Sequence, residues 1–198
     1  MEVGLYFGSF NPIHHGHLII AQHILEHTTL KEVWFVVSPQ NPFKHSSSLL
    51  NEHHRFFLVQ EAIEGETRMR ASNVEFSLPK PSYTADTLAY LREQYPQHTF
   101  HLIMGSDSFQ NFGKWKNPEN ILANHPVIIY KRPGFEVTET HKGNIQVLAA
   151  PLLEISSTHI RELIRKGASI RYFVPDRVMK EIERNGYYRQ AASEKKSQ

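Results

Sequence analysis

Short apolar runs alternate with longer amphipathic stretches along this chain. Val3–Phe7 predicts a first strand. His17–His27, HLIIAQHILEH, carries Leu18, Ala21 and Leu25 with Ile20 and Ile24, the spacing of a helix with an apolar face. Val33–Val37, VWFVV, is apolar throughout, as a parallel strand covered on both faces should be. Asn51–Glu64 reads as a helix closed by Gly65, Met69–Phe76 as extended chain, and Thr84–Gln94 as a helix ended at Tyr95-Pro96. Phe100–Met104 and Val127–Tyr130 predict strands that run into the turns GSD and KRPG. Gln146–Ala149 predicts a short last strand, and Thr158–Lys166 and Pro175–Asn185 the final helices.

Strand–helix alternation of this kind predicts an α/β fold: a single-domain, doubly wound (Rossmann-like), mostly parallel sheet with helices on both faces. No internal repeat or linker interrupts residues 1–190, and the polar tail AASEKKSQ, residues 191–198, has nothing to bury and is expected to be disordered. In such folds ligands bind beyond the carboxyl ends of the strands. The turns after Tyr6, Val37, Met104, Tyr130 and Ala149 are therefore where chemistry is expected.

Composition narrows the partners. The 198 residues suffice for one sizeable buried core, and the formal net charge is only +2 with both signs mixed. Neither a nucleic-acid coat nor a membrane-surface protein reads this way. The pI near 8.8 suits a small anionic ligand without requiring one. Cysteine is absent, which excludes disulfides, thiolate metal sites and cysteine nucleophiles. The N-terminus lacks a basic segment followed by a long apolar run, and VWFVV is too short to span a bilayer. A soluble, cytoplasmic protein is expected, with its oligomeric state open and a homodimer included.

FGSFNPIHHGH, Phe7 to His17, then stands out. Gly8 allows a ligand close to the backbone, Asn11-Pro12 favours an extended entry, and Gly16 sits at the mouth of the first helix. Free N–H groups and the dipole make that mouth an anion site. His14 and His17, three residues apart, aim to one side of it and can donate to phosphate oxygens, gaining charge if a phosphate raises their pKa. Any one of the 13 histidines is more often a surface or core filler, so the spacing matters more than the count. HHGH could supply two zinc ligands, but no further ligand pair stands out, and no dedicated metal site is expected. The glycine pattern is neither GxGxxG nor a P-loop.

GSFNPIHHGH resembles the signature of the nucleotidyltransferase superfamily, whose core motif is HxGH; the family commonly has glycine where this chain has Phe7. The resemblance implies that His14 and His17 contact nucleotide phosphates, with Gly8, Ser9 and Phe10 on the same turn. ISSTHIRELIRKG, from Ile155, resembles the ISSTxxR motif that closes the superfamily's ATP site, which implies ATP contacts by Ser156, Ser157, Thr158 and Arg161. On its own residues it is also a well-capped helix start. SPQNPFK, SYTADTL and GSDSFQNFGKW are similar to motifs of bacterial nicotinate-nucleotide adenylyltransferases. That family implies a pyridine ring stacked on Trp115, a carboxylate received near Thr84 and Lys116, and a mononucleotide phosphate met by Lys44. Asn11 and Arg132 are placed with that nucleotide, and Gly105 and Asp107 with ATP.

The resemblance implies transfer of AMP from ATP to nicotinic acid mononucleotide, with Mg2+ arriving on ATP. His14, His17, Lys44 and Arg161 are the expected catalytic set. A nicotinamide mononucleotide or pantetheine phosphate acceptor stays open. So do a nucleotide sensor without catalysis and a histidine-based zinc protein.

Overall fold

The computed structural model describes residues 1–40, 49–137, 143–151 and 153–189. Among these residues six strands form one sheet: β1 Glu2–Gly8, β2 Glu32–Val37, β3 Met69–Ser72, β4 Thr99–Gly105, β5 Val127–Tyr130 and β6 Ile145–Leu148. Their order is β3-β2-β1-β4-β5-β6, and every neighbouring pair is parallel. The sheet is thus wholly rather than mostly parallel. The helices are α1 His15–His27, α2 Glu52–Ala62, α3 Thr84–Gln94, α4 Ser106–Phe109, α5 Pro118–Asn124, α6 Ser157–Arg165 and α7 Asp176–Asn185.

Alternation along each strand builds two cores. Tyr6, Val33, Phe35, Val37, Ile103 and Ile128 face α1, α2, α6 and α7. Val3, Leu5, Trp34, Val36, Leu102 and Ile129 face α3 and α5. With one side chain in two going to each core, a strand such as VWFVV has no polar position to spare.

The structure redraws some boundaries. The extended chain expected over Met69–Phe76 stops at Ser72, and Val74–Ser77 forms a 3-10 turn that carries Glu75 inward. The GSD turn opens the short helix α4, and the last strand begins one residue earlier than expected. Helix α5 has no counterpart in the pattern: it is seven residues long, and Pro118 starts it where a missing N–H costs nothing. Helix α1 begins at His15, so His14 is its N-cap and His17 lies in its first turn. Among the described residues no helix is long and apolar enough to cross a membrane. The polar tail 191–198 lies outside the described residues.

Candidate active site

Strand order reverses between β1 and β4, which leaves a crevice beyond their carboxyl ends. Two lobes open there. They share a floor of Phe7, Gly8 and Ser9 after β1, with Tyr6, Ser108 and Tyr130 beside it. The floor is tight: a Cβ on Gly8 would stand 2.8 Å from the Phe10 ring. That ring is 2% exposed and packs edge-on to Tyr6, Phe35 and His17. Phe10 can thus offer a ligand its backbone, while its side chain belongs to the core.

The first lobe gathers His14, His17, Asp107, Arg132, Ser156, Ser157, Thr158 and Arg161. The His14 and His17 rings stack, centroids 3.7 Å apart. The His14 backbone N–H donates to His17 Nδ1 at 3.3 Å. A neutral His17 therefore carries its proton on Nε2. His14 is buried, and burial first, then Arg132 and His15, lower its pKa to about 4. The ring is neutral until an anion arrives.

Helix α6 is tied to the histidine turn. Ser157 Oγ donates to Pro12 O at 2.8 Å, and Arg161 Nη1 donates to Asn11 O at 2.7 Å. Ser156 caps the helix by accepting from the His159 N–H at 3.1 Å. Burial is the main pull on Arg161 and lowers its pKa. Arg132 Nε stands 3.4 Å from Asp107 Oδ1, and the Arg132 N–H donates to Ser106 Oγ at 2.8 Å. Burial opposes the Arg132 charge, but Tyr130 and Asp107 outweigh it and the pKa is raised. Gly105 keeps this corner open, since a Cβ there would collide with the Asp107 carboxylate and stand 3.1 Å from Arg132 Nε. Among the described residues, three buried polar atoms of this lobe, His14 Nδ1, Asp107 Oδ1 and Arg161 Nε, make no hydrogen bond. Buried polar atoms seldom stay unpaired, so the lobe is prepared for a polar ligand.

The second lobe is lined by Ser82, Tyr83, Thr84, Gly105, Trp115, Lys116 and Glu75. Thr84 opens α3, and a helix N-terminus at the edge of this lobe can receive an anion. Trp115 is half-buried against Phe112, centroids 5.2 Å apart, and offers a flat face. Lys116 Nζ bonds both Asp86 carboxylate oxygens at 2.8 Å and stands 5.2 Å from the Tyr83 ring centre.

The structure thus brings the expected residues together, with four adjustments. Gly105, expected with ATP, lines the tryptophan lobe, where its Cα faces the Asp107–Arg132 pair. Asn11 and Arg132 line the histidine lobe rather than the tryptophan lobe. Asn11 is buried, and its Oδ1 accepts from the Leu50 N–H at 3.1 Å. Lys44 lies outside the described residues.

Sequence reasoning missed two buried charged groups. Arg55, 0% exposed, donates to the carbonyls of Leu50 (2.7 Å), Ser9 (2.5 Å), Ser38 (2.9 Å) and Pro39 (3.1 Å). Glu75 is 1% exposed and faces the second lobe. Neither carried a signal, because one Arg or Glu in a polar stretch looks like any solvated charge.

A parallel sheet with a two-lobed cleft at its switch point, one lobe phosphate-like and one with an aromatic face, defines a nucleotide-handling α/β protein. Residues 5–163 match the family model described as cytidylyltransferase-like. A relative from Cytophaga hutchinsonii, named "Probable nicotinate-nucleotide adenylyltransferase", is 53% identical over 95% of this chain and 98% of its own. One of the same name from Christiangramia forsetii is 46% identical, again over 95% and 98%. The chain belongs to the nicotinate-nucleotide adenylyltransferase family of cytidylyltransferase-like proteins. The fold is shared with Plasmodium falciparum nicotinic acid mononucleotide adenylyltransferase complexed with NaAD. The TM-score is 0.79 at 23% identity, over 94% of this chain and 97% of that one.

Proposed function

We propose that the chain transfers the adenylyl group of ATP to nicotinic acid mononucleotide. A 5′-phosphate oxygen of the mononucleotide attacks the α-phosphorus, the bond from that phosphorus to the bridging oxygen breaks, and pyrophosphate leaves. The product is nicotinic acid adenine dinucleotide. Membership of the family supports this acceptor, and the site observation that carries the reading is the shared floor. Gly8 and Ser9 border both lobes, so a triphosphate in one and a mononucleotide in the other meet over the same backbone.

No side chain need act as nucleophile, because the substrate phosphate is one. Catalysis is then positioning and charge stabilisation. In this reading His17 Nε2–H and His14 donate to phosphate oxygens, and His17 steadies the α-phosphate as charge builds. Arg161, Ser156, Ser157 and Thr158 hold the β- and γ-phosphates. Trp115 stacks on the pyridine ring, and the N–H groups near Thr84 and Lys116 receive its carboxylate. Lys44 neutralises the mononucleotide phosphate.

A divalent ion, Mg2+ in this reading, comes with ATP. Among the described residues no group of three or more acidic, histidine or cysteine side chains forms a metal cage. One carboxylate, Asp107, lines the triphosphate lobe; its Oδ1 stands 3.4 Å from Arg132 Nε and makes no hydrogen bond among the described residues. That fits an ion carried on phosphate oxygens that keeps most of its waters. It would supply charge neutralisation, with Asp107 the oxygen available to it. On the same reading residues 1–190 act as one catalytic domain in the cytoplasm.

Pyrophosphate release tests the proposal, with ATP, Mg2+ and in turn nicotinic acid mononucleotide, nicotinamide mononucleotide and pantetheine phosphate. Strong release with the first is expected. Release with none of the three overturns it.

A further inference from the structure

Glu75 occupies the 3-10 turn after β3 and lines the tryptophan lobe. Its Oε1 accepts from Thr87 Oγ1 at 2.8 Å. Among the described residues its Oε2 and the nearby Ser82 Oγ are buried without a hydrogen-bond partner. Among the described residues no cation pairs with it: Lys116 is held by Asp86, and Lys80 by Glu52. An ionised carboxylate so placed is costly. Burial accordingly raises the Glu75 pKa, against the hydroxyls of Thr87, Ser38 and Ser82. A proton resolves the geometry as well. The Thr87 hydroxyl also stands 3.3 Å from Tyr83 O, so a proton on Glu75 finds an acceptor in Thr87 or Ser82, and the carboxyl forms part of the wall of the acceptor lobe.

We propose that the Glu75 carboxyl sets the acid-versus-amide preference of this lobe, favouring a pyridine carboxylate while it holds its proton and a carboxamide once the proton is gone. This rests on the function proposed above. The neutral carboxyl leaves the N-terminus of α3 available to an anion. An ionised one offsets that dipole and repels the acid, while the uncharged carboxamide feels its charge far less. Other charged or titratable groups on the packed elements include Tyr83 and Asp86 at the start of α3, Lys80 before it, Lys116 after β4, Arg70 on β3, and Glu52 and His53 on α2. The His53 ring meets Phe76 at 5.1 Å.

The test compares kcat/KM for nicotinic acid and nicotinamide mononucleotides between pH 5.5 and 9. Their ratio cancels everything on the ATP side and the shared phosphate of the acceptors. In the native enzyme the ratio should fall with rising pH by about tenfold, the size expected of a like charge ~10 Å away at an effective dielectric near 20. In Glu75→Gln, which keeps a donor of the same shape but cannot ionise, it should stay flat. A flat native ratio, or the same fall in Glu75→Gln, overturns the inference, since a step from His53 or Lys116 would survive the substitution. Infrared spectra of the native enzyme give a readout that needs no variant. A protonated buried carboxyl at pH 5.5 that is lost on titration supports the assignment, and ionised carboxylates alone at that pH refute it. Turnover of neither mononucleotide would overturn the proposed function and this inference with it, whereas turnover of the acid at a pH-independent ratio removes the inference alone.

Discussion

Replacing Arg55 by methionine tests what holds the floor of the cleft. The guanidinium is fully buried and donates to four carbonyls from three segments: Ser9 after β1, Ser38 and Pro39 after β2, and Leu50 before α2. No salt bridge to it exists among the described residues, and burial lowers its pKa. Methionine keeps much of the volume but removes every donor. Each hydrogen bond to a charged group contributes about 1.5–3 kcal/mol. Part of that is returned, because the desolvation cost of the cation also disappears and some carbonyls regain water. A net loss of about 3–5 kcal/mol is expected, as when one side of a buried ionic network is removed. Against a total of about 5–15 kcal/mol this is a large share. Urea unfolding at constant slope should show it, and Tm should fall by about 6–20 °C for a chain of this size. Arg55→Lys should recover only part, since one ammonium has at most three donors and no fork. A loss under about 1 kcal/mol in Arg55→Met would mean that the four contacts do not hold these segments.

The same geometry sets other expectations. His17→Ala should lose about a hundredfold or more in kcat with little change in unfolding midpoint, the size seen when one transition-state donor is removed; near-normal turnover would remove His17 from the chemistry. His14 is neutral in the fold, its pKa lowered from 6.5 to about 4, while the unfolded chain takes up a proton near 6.5. Its contribution is therefore full above pH 6.5 and is lost as pH falls toward 4, amounting to about 3 kcal/mol at roughly 1.4 kcal/mol per pH unit. His14→Gln should flatten that part of the stability–pH curve, and parallel curves would contradict the burial argument. Gly105→Ala should push the Asp107–Arg132 pair aside, cost about 1–3 kcal/mol, and weaken ATP binding in calorimetry more than mononucleotide binding; unchanged ATP affinity would show that this corner does not border the triphosphate.

Much of the fold was legible because its signals are local. VWFVV can only be a strand covered twice, and the period of HLIIAQHILEH places α1 to within two residues. The His14–Gly16–His17 spacing predicts a helix mouth with two imidazoles on one side, and the stacked rings follow from it. What failed to show depends on distant partners. Arg55 lies in the polar stretch EHHRFFLVQ, and its four carbonyls become a socket only when the turns after β1 and β2 converge. Glu75 turns inward because Thr87, twelve residues on, offers a hydroxyl. Phe10 sits within the signature turn, yet its φ of 45° swings its ring beneath Gly8 into the core. Helix α5 is too short and too polar to show a period.

The two lobes differ in how they manage charge, and the difference follows the ligands they fit. In the triphosphate lobe the cations are kept but restrained: Arg132 lies against Asp107, Arg161 is spent partly on Asn11 O, and His14 stays neutral. An empty lobe of free cations would be costly to desolvate and would attract any anion. Restrained groups with orphaned atoms become favourable only when several phosphate oxygens meet them at once, which favours a triphosphate over a single phosphate. On the proposed function the acceptor lobe has one small anion to recognise beside a flat ring. It offers a helix terminus, an indole and a buried carboxyl whose pKa burial raises, and its lysine is already paired with Asp86. On that proposal selectivity turns on whether one local negative charge is present, which a single proton on Glu75 decides.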